Sequence, residues 1–297
     1  MSIIGIDIGG TKCTLAKADE DGTLISEPIM FSTGNVAWTL SEIYSVVARL
    51  EPGEDPIFGI SCGGPLDSAR GIVLSPPNLP GWDRIEIVHE LTSRFGGRGY
   101  LMNDANACAL AEWQFGAGQG AEHMVYLTHG TGMGGGLIVN GRLYEGASGD
   151  AGEVGHIRLA DTGPVGFGKA GSFEGFCSGG GIARLAAGRI PGMANPSAKD
   201  VAEAASRGVP EALEVMRESG RYLGKALAMI VDCLNPQVIV LGSIYTRSGH
   251  LLEAPMREEL EREALPSALA ACRIVPAGLG EQLGIMSAIA VATYHCK

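Results

Sequence analysis

The sequence predicts an α/β protein of two related lobes with a nucleotide-sized ligand cleft between them, and three observations lead to that class. Strand-like segments open each half of the chain and helix-periodic segments close it. Glycine, at 45 of 297 residues, is about twice as common as in an average protein and gathers beside apolar runs without a collagen period. A glycine turn followed by a hairpin in the first half recurs about 120 residues later.

Taken in order, residues 3–10 (IIGIDIGG) alternate β-branched residues with small or acidic ones and read as a strand. Residues 14–29 (TLAKADEDGTLISEPI) read as two further strands around an Asp21-Gly22 turn, completing a meander. Helical periodicity covers residues 39–50 and 104–115, the second with Asn103 or Asp104 as its N-cap. The first pattern then returns. Residues 124–132 read as a strand entering a glycine turn, and 135–146 as two strands around Asn140-Gly141. Helices follow at 199–205 and 210–234, a buried strand at 237–242 and a closing helix at 283–294. Residues 1–117 with 281–297 are assigned to the N-terminal lobe, and 118–280 to the C-terminal lobe.

With 45% apolar residues and a mean hydropathy of +0.16, the chain has the material for a real core, which excludes extended disorder. Its longest apolar run, at residues 226–231, is six residues, far short of the roughly 18–20 that a membrane span needs. No basic segment followed by an apolar stretch opens the chain, so neither secretion nor membrane insertion is expected. Seven cysteines, an odd number without a CxxC pair, point to reduced thiols and a cytoplasmic location. A net charge of −11 argues against nucleic acid as a partner.

The chemistry concentrates in the glycine turns. In IDIGGTK, Gly9 and Gly10 expose successive backbone N–H groups that can hold a phosphate, Thr11 adds a hydroxyl and Lys12 a point charge. Asp7, set among isoleucines, is costly to bury unpaired and suits a Mg²⁺ ion that keeps its waters. The rival is a plain strand-to-strand turn with Asp7 bonded to backbone. This segment matches neither GxxxxGK[ST] nor GxGxxG. The second cluster, HGTGMGGG, brings Thr131 and Gly132 into the related position, with a β-bulge as its bland alternative.

IGIDIGGTK, GISCGGPLDSARGIVLSPPNLPGW, MNDANACALAEW, GTGMGGGLIVNGRLYEG and AGEVGHI, in that order and spacing, resemble the ROK family of sugar kinases and sugar-responsive repressors. The resemblance covers residues 3–180 and returns at NPQVIVLG. It implies the two-lobed, actin-like, ribonuclease-H-type fold, ATP and Mg²⁺ as ligands, and phosphorylation of a hexose hydroxyl. It casts Asp104 as catalytic base, the carboxylate that orients the sugar hydroxyl and accepts its proton. It places Gly64, Asn78, Asn103, Glu153, His156 and Glu174 at the sugar and Gly242 at the adenosine side. Six have a plainer rival: an N-cap for Asp104, loop chemistry for Asn78 and Asn103, a capping box from Asp150 for Glu153, a structural role for His156, and a solvated loop carboxylate for Glu174.

The chain departs from the family in one segment. Where relatives carry CxCGxxGC, whose three cysteines and the counterpart of His156 hold zinc, this sequence reads VGFGKAGS, with Val165, Phe167 and Ser172 in place of the thiolates. One histidine cannot supply a tetrahedral site, so no structural zinc is expected, and packing by Val165, Phe167 and Phe173 is expected in its place. Ser243 and Ile244 stand where relatives have more glycine. His129 has no role by resemblance.

The activity implied is ATP:hexose phosphotransfer, to the 6-position of glucose or a related hexose, by a homodimer. N-acetylmannosamine or N-acetylglucosamine is the alternative acceptor. From another class comes a non-catalytic sugar-sensing regulator. Family repressors carry an N-terminal DNA-binding domain, for which a phosphate strand beginning at Ile3 leaves no room. A nucleotide-binding scaffold without turnover is expected to lack Asp7, Lys12 or Asp104, and all three are present.

Overall fold

Ile3, Ile4, Ile6 and Ile8 are all buried in the first strand, β1 (Ser2–Ile8), so it is covered on both faces. The structure is a computed structural model and describes residues 2–296. β1 runs antiparallel to β2 (Lys12–Ala18), with Asp7 opposite Thr14. Past the Asp21-Gly22 turn the expected strand is reduced to one bridge, Ala18 to Leu24, and pairing resumes only at β3 (Ile29–Ser32). The local cause is side-chain competition. Asp19 Oδ1 accepts the N–H groups of Asp21 and Thr23, Ser26 Oγ accepts that of Lys17, and Pro28 has none to offer.

Helix α1 (Val36–Arg49) starts earlier than its periodicity indicates because Asn35 Oδ1 accepts Trp38 N–H as N-cap. Then follow β4 (Pro56–Cys62), the small three-stranded sheet of β5 (Leu66–Asp67), β6 (Ile72–Leu74) and β7 (Asp83–Ile85), helix α2 (Ile87–Phe95), β8 (Arg98–Asn103) and α3 (Asp104–Phe115). The main sheet has the order β3-β2-β1-β4-β8, with β1, β4 and β8 parallel.

The second sheet repeats this plan. β9 (Met124–Leu127) is followed by β10 (Gly135–Val139) and β11 (Arg142–Leu143), joined at Asn140 (φ +52°) and Gly141 (φ +66°), the mirror-image turn that suits a hairpin. One turn of 3₁₀ helix (Val154–His156) leads to the hairpin β12 (Val165–Gly166) and β13 (Lys169–Ala170). Helices α4 (Phe173–Cys177), α5 (Gly179–Ala186), α6 (Ala198–Ser206) and α7 (Pro210–Leu234) come next. α6 begins in a Ser197/Asp200 capping box, and α7 has Pro at its first position and ends at Asn235 in the left-handed region. β14 (Val238–Leu241), α8 (Ser243–Glu263), α9 (Pro266–Ala271) and β15 (Arg273–Pro276) complete the sheet order β11-β10-β9-β14-β15. Again the first, fourth and fifth strands of the series are parallel.

α10 (Leu283–Cys296) returns to the first sheet. One compact unit comprises the residues up to Gln119 with those from Leu279 on, and the other Gly120–Gly278. Each has its own apolar core, the first around Ile4, Phe58 and Trp82, the second around Leu127, Phe173 and Leu227. The buried Glu112 stands where the chain leaves and re-enters the first unit. Its Oε2 accepts Ala117 N–H at 2.8 Å and its Oε1 accepts Leu279 N–H at 3.0 Å. Among the described residues no helix is long and apolar enough to cross a membrane.

Candidate active site

In the first unit, the carboxyl ends of three parallel strands deliver side chains to one edge of the sheet. Register sets Asp7 beside Ser61, Ile8 beside Cys62, and Cys62 beside Asn103. Ligands of open α/β sheets bind outside such ends. The half-buried Asp7 has its pKa raised to about 6, first by desolvation and then by the charge of Asp104, with Lys12 and the nearby Ser61 hydroxyl pulling it down. Ser61 Oγ is itself buried without a regular hydrogen bond.

Between β1 and β2, Gly9, Gly10 and Thr11 form the turn, closed by Gly9 N–H donating to Lys12 O at 3.0 Å. A Cβ at Gly10 would lie 2.6 Å from Asn78 O, so this close approach admits only glycine and sets Asn78 against the turn. Thr33, absent from the sequence-derived site, pins the turn: Oγ1 donates to Gly9 O at 2.6 Å and its N–H to Thr11 O at 2.9 Å. No local pattern marks it. Thr11 and Lys12 are exposed.

Asn103 is the N-cap of α3, its Oδ1 accepting Ala105 N–H at 2.9 Å; Asp104 is therefore the first helical residue and not the cap. Asp104 Oδ1 accepts the same N–H at 2.8 Å. Desolvation raises the pKa of Asp104, while the Ala105 and Asp104 N–H groups lower it; the residue itself is exposed to solvent. A Cβ on Gly64 would stand 3.3 Å from Asn103 Nδ2, which places Gly64 beside the amide.

In the second unit, Thr128 brackets the other glycine turn by exchanging N–H···O bonds with Gly134 at 2.9 and 3.0 Å. Thr131 is exposed and Gly132 half-buried. Glu174 lies in the first turn of α4, half-buried, and its Oε2 accepts Met133 N–H at 3.1 Å, so it is not a solvated loop carboxylate. Gly242 packs against Thr128, where a Cβ would come within 2.7 Å of the carbonyl oxygen. Ser243 has φ +36°, a conformation that favours glycine, and Arg247 donates to its hydroxyl at 2.8 Å.

The capping-box explanation of Glu153 fails. No side-chain cap precedes the 3₁₀ turn, and Asp150 instead accepts from Ser148 Oγ at 2.7 Å. Glu153 is exposed at the start of that turn and His156 is half-buried at its end.

The expected apolar packing of the VGFGKAGS segment holds for the neighbouring Phe173, which is fully buried, and fails for Val165 and Phe167, 48% and 71% exposed. Polar bonds brace the segment instead. Lys169 Nζ donates to His156 O at 2.6 Å, Arg158 to Ala170 O at 2.7 Å, and the buried Ser172 caps α4 by accepting Gly175 N–H at 3.1 Å. Phe167 sets its ring edge-on to His156, centroids 4.9 Å apart. Cys177 is buried, its thiol donating to Ser219 O at 3.4 Å. Among the described residues, no group of three His, Cys, Asp or Glu side chains is placed to hold a metal ion.

Comparison with known proteins agrees with this architecture. The glucokinase of Thermotoga maritima is 32% identical over 98% of this chain and 97% of its own. A crystal structure of a ROK hexokinase from Thermus thermophilus superposes with a TM-score of 0.87 at 30% identity, covering 100% of this chain and 99% of that one. A ROK glucokinase from Streptomyces griseus, solved with glucose and AMPPNP, gives 0.79 at 30% identity over 98% and 99%. These structures carry the two-lobed actin-like fold. The ROK family model matches residues 3–294, and with the repeated strand order and the two glycine turns already described, the chain belongs to the ROK family.

Proposed function

We propose that this chain transfers the terminal phosphoryl group of ATP to the 6-hydroxyl of glucose or a related hexose. An ATP-dependent hexose kinase is supported by its full-length likeness to glucokinases. The observation that carries the mechanism is the convergence of Asp7, Asp104 and the Gly9–Lys12 turn at one sheet edge. Asp104 orients the sugar hydroxyl and takes its proton as the new bond to phosphorus forms. Asn103 is fixed by its capping bond, which leaves its amide nitrogen beside Gly64 for a sugar hydroxyl. Asn78, Glu153, His156 and Glu174 complete the sugar contacts. Gly9, Gly10, Thr11 and Lys12 hold phosphate from one turn, Thr131 and Gly132 from the other, and Gly242 lies at the adenosine.

Asp7 fits a divalent cation. Burial and the neighbouring Asp104 push its carboxylate towards the neutral form, and Lys12 only partly compensates, so a cation there restores the balance of charge. Mg²⁺, when bound, neutralises charge on the phosphate oxygens. A cytoplasmic location accords with seven free cysteines, and homodimeric assembly belongs to the same reading.

The test is a coupled ADP-release assay with ATP and Mg²⁺ against glucose, mannose, fructose, allose, N-acetylmannosamine and N-acetylglucosamine. Preference for a hexose without an acetamido group supports the proposal, preference for an acetamido sugar moves it to the alternative acceptor, and absence of turnover with all six defeats it.

A further inference from the structure

Four hydrogen bonds fasten the second glycine turn to α4 and the start of α5, and they are of two kinds. Gly179 N–H donates to Gly130 O at 2.7 Å and Gly180 N–H to Thr131 O at 3.3 Å, both between backbone atoms. The other two depend on side chains. Met133 N–H donates to Glu174 Oε2 at 3.1 Å, and His129 Nε2–H donates to Cys177 O at 3.0 Å. Glu174 and Cys177 are near the two ends of α4, so side chains grip that helix at both.

His129 is an awkward residue for its place. It is fully buried, its Nδ1 has no hydrogen-bond partner, and its φ is +41°. An unpaired interior nitrogen and a left-handed backbone each oppose folding. Because a carbonyl can only accept, Nε2 carries the proton and Nδ1 is bare. Burial lowers the pKa to about 4, so the ring keeps this neutral form near pH 7. The bond to Cys177 is what the side chain contributes in return. Its backbone carbonyl also accepts Ile244 N–H at 2.8 Å, which ties in the start of α8.

We propose that His129 is a positioning residue that couples nucleotide phosphate at Thr131–Gly132 to sugar at Glu174 by holding the turn and α4 as one body. This rests on the kinase reading of those residues. Gly132 lies so close to Glu174 that a Cβ would stand 3.0 Å from Oε2, so any shift of the turn moves the carboxylate. With His129 in place the Cys177 end of α4 is held by a side chain as well as by the Gly179 and Gly180 backbone bonds; without it that end is left to those two bonds, the second a long one at 3.3 Å, and part of the shift is absorbed before it reaches the helix. Linkage makes the effect reciprocal, with sugar tightening nucleotide by the factor with which nucleotide tightens sugar.

The experiment is calorimetric titration of the full chain with AMPPNP, with and without saturating glucose, or the sugar that the turnover assay selects. His129→Gln keeps an N–H at similar reach; His129→Asn is equally polar but too short. Sugar should tighten AMPPNP at least about fivefold in the parent and in His129→Gln, and by less than about twofold in His129→Asn. No coupling in the parent, or equal coupling in the two variants, overturns the proposal. Should His129→Asn fail to fold, loss of coupling in a folded His129→Gln overturns it equally. Absence of turnover with every sugar defeats the kinase reading itself, whereas turnover with equal coupling in both variants defeats only the role of His129.

Discussion

Gly284 and Asp7 are in such close contact that a Cβ at residue 284 would lie 2.6 Å from Asp7 Oδ2. The first turn of α10 thus roofs the carboxylate, and the absence of a side chain at 284 is what admits it. The burial that raises the Asp7 pKa is therefore contributed in part by a helix from the opposite end of the sequence.

The folded-state pKa of Asp7, about 6, lies above the ordinary 3.8, so the folded chain holds this proton more tightly than the unfolded one. The ionised form consequently destabilises the fold above about pH 6, and that penalty vanishes as pH falls to about 4. Asp7→Asn is expected to stabilise the ligand-free protein at about pH 8 by up to about 3 kcal/mol, with the gain lost near pH 4, and to lower turnover. Calorimetric melting across this range checks it; an unaltered Tm at pH 8 contradicts burial as the cause.

Asp104→Asn preserves the capping bond of Asn103 but removes the proton acceptor. Turnover should fall by about 10²- to 10⁴-fold while AMPPNP affinity changes little. Steady-state kinetics beside calorimetric binding separate these effects, and near-parental turnover would take Asp104 out of the role.

Thr33→Val keeps the volume and deletes the hydroxyl that donates to Gly9 O. Losing one such bond, worth about 1 kcal/mol, should raise the KM for ATP about fivefold and leave the KM for sugar unchanged. An equal rise in both constants would show a general loss of order instead.

The 71% exposure of Phe167 limits the effect of Phe167→Ala to about 0.5 kcal/mol, whereas Ser172→Ala, which removes the α4 cap, should cost about 1 kcal/mol. Since Val165, Phe167 and Ser172 offer no thiolate, a chelator is expected to leave the Tm unchanged. Elemental analysis of protein purified without an affinity-tag metal decides the matter, near-stoichiometric zinc being the contrary result.

Much of the fold was legible because its signals are local. Asn140-Gly141 supplies both left-handed residues of the β10–β11 turn, and Pro210 opens an amphipathic α7 whose bounds follow its periodicity. β4 is marked in the sequence only as strand-like residues before the Gly63-Gly64 turn, without bounds, because all seven of its residues are buried, which erases the alternation that reveals a half-exposed strand. α4 and α5 lie in a glycine-rich stretch that reads as loop until Ser172 and Ser178 act as caps. Asp104 stood out through motif order. Thr33 and the bond from His129 to Cys177 did not, because each acts through a partner more than twenty residues away and has no periodic signature.

One carboxylate, that of Glu112, receives the backbone at Ala117 and again at Leu279, so the ends of everything between them are held within a single side chain's reach. Topologically, Gly120–Gly278 is then an insertion into a host whose cut ends meet at one side chain. Closing such a gap takes only a few residues of linker, and the entropy of loop closure grows slowly with length, so the host gives up little order by carrying so long a guest. A chain from which the guest is excised and the ends rejoined by a short glycine linker retains every strand of the β3-β2-β1-β4-β8 sheet and the α10 that covers it.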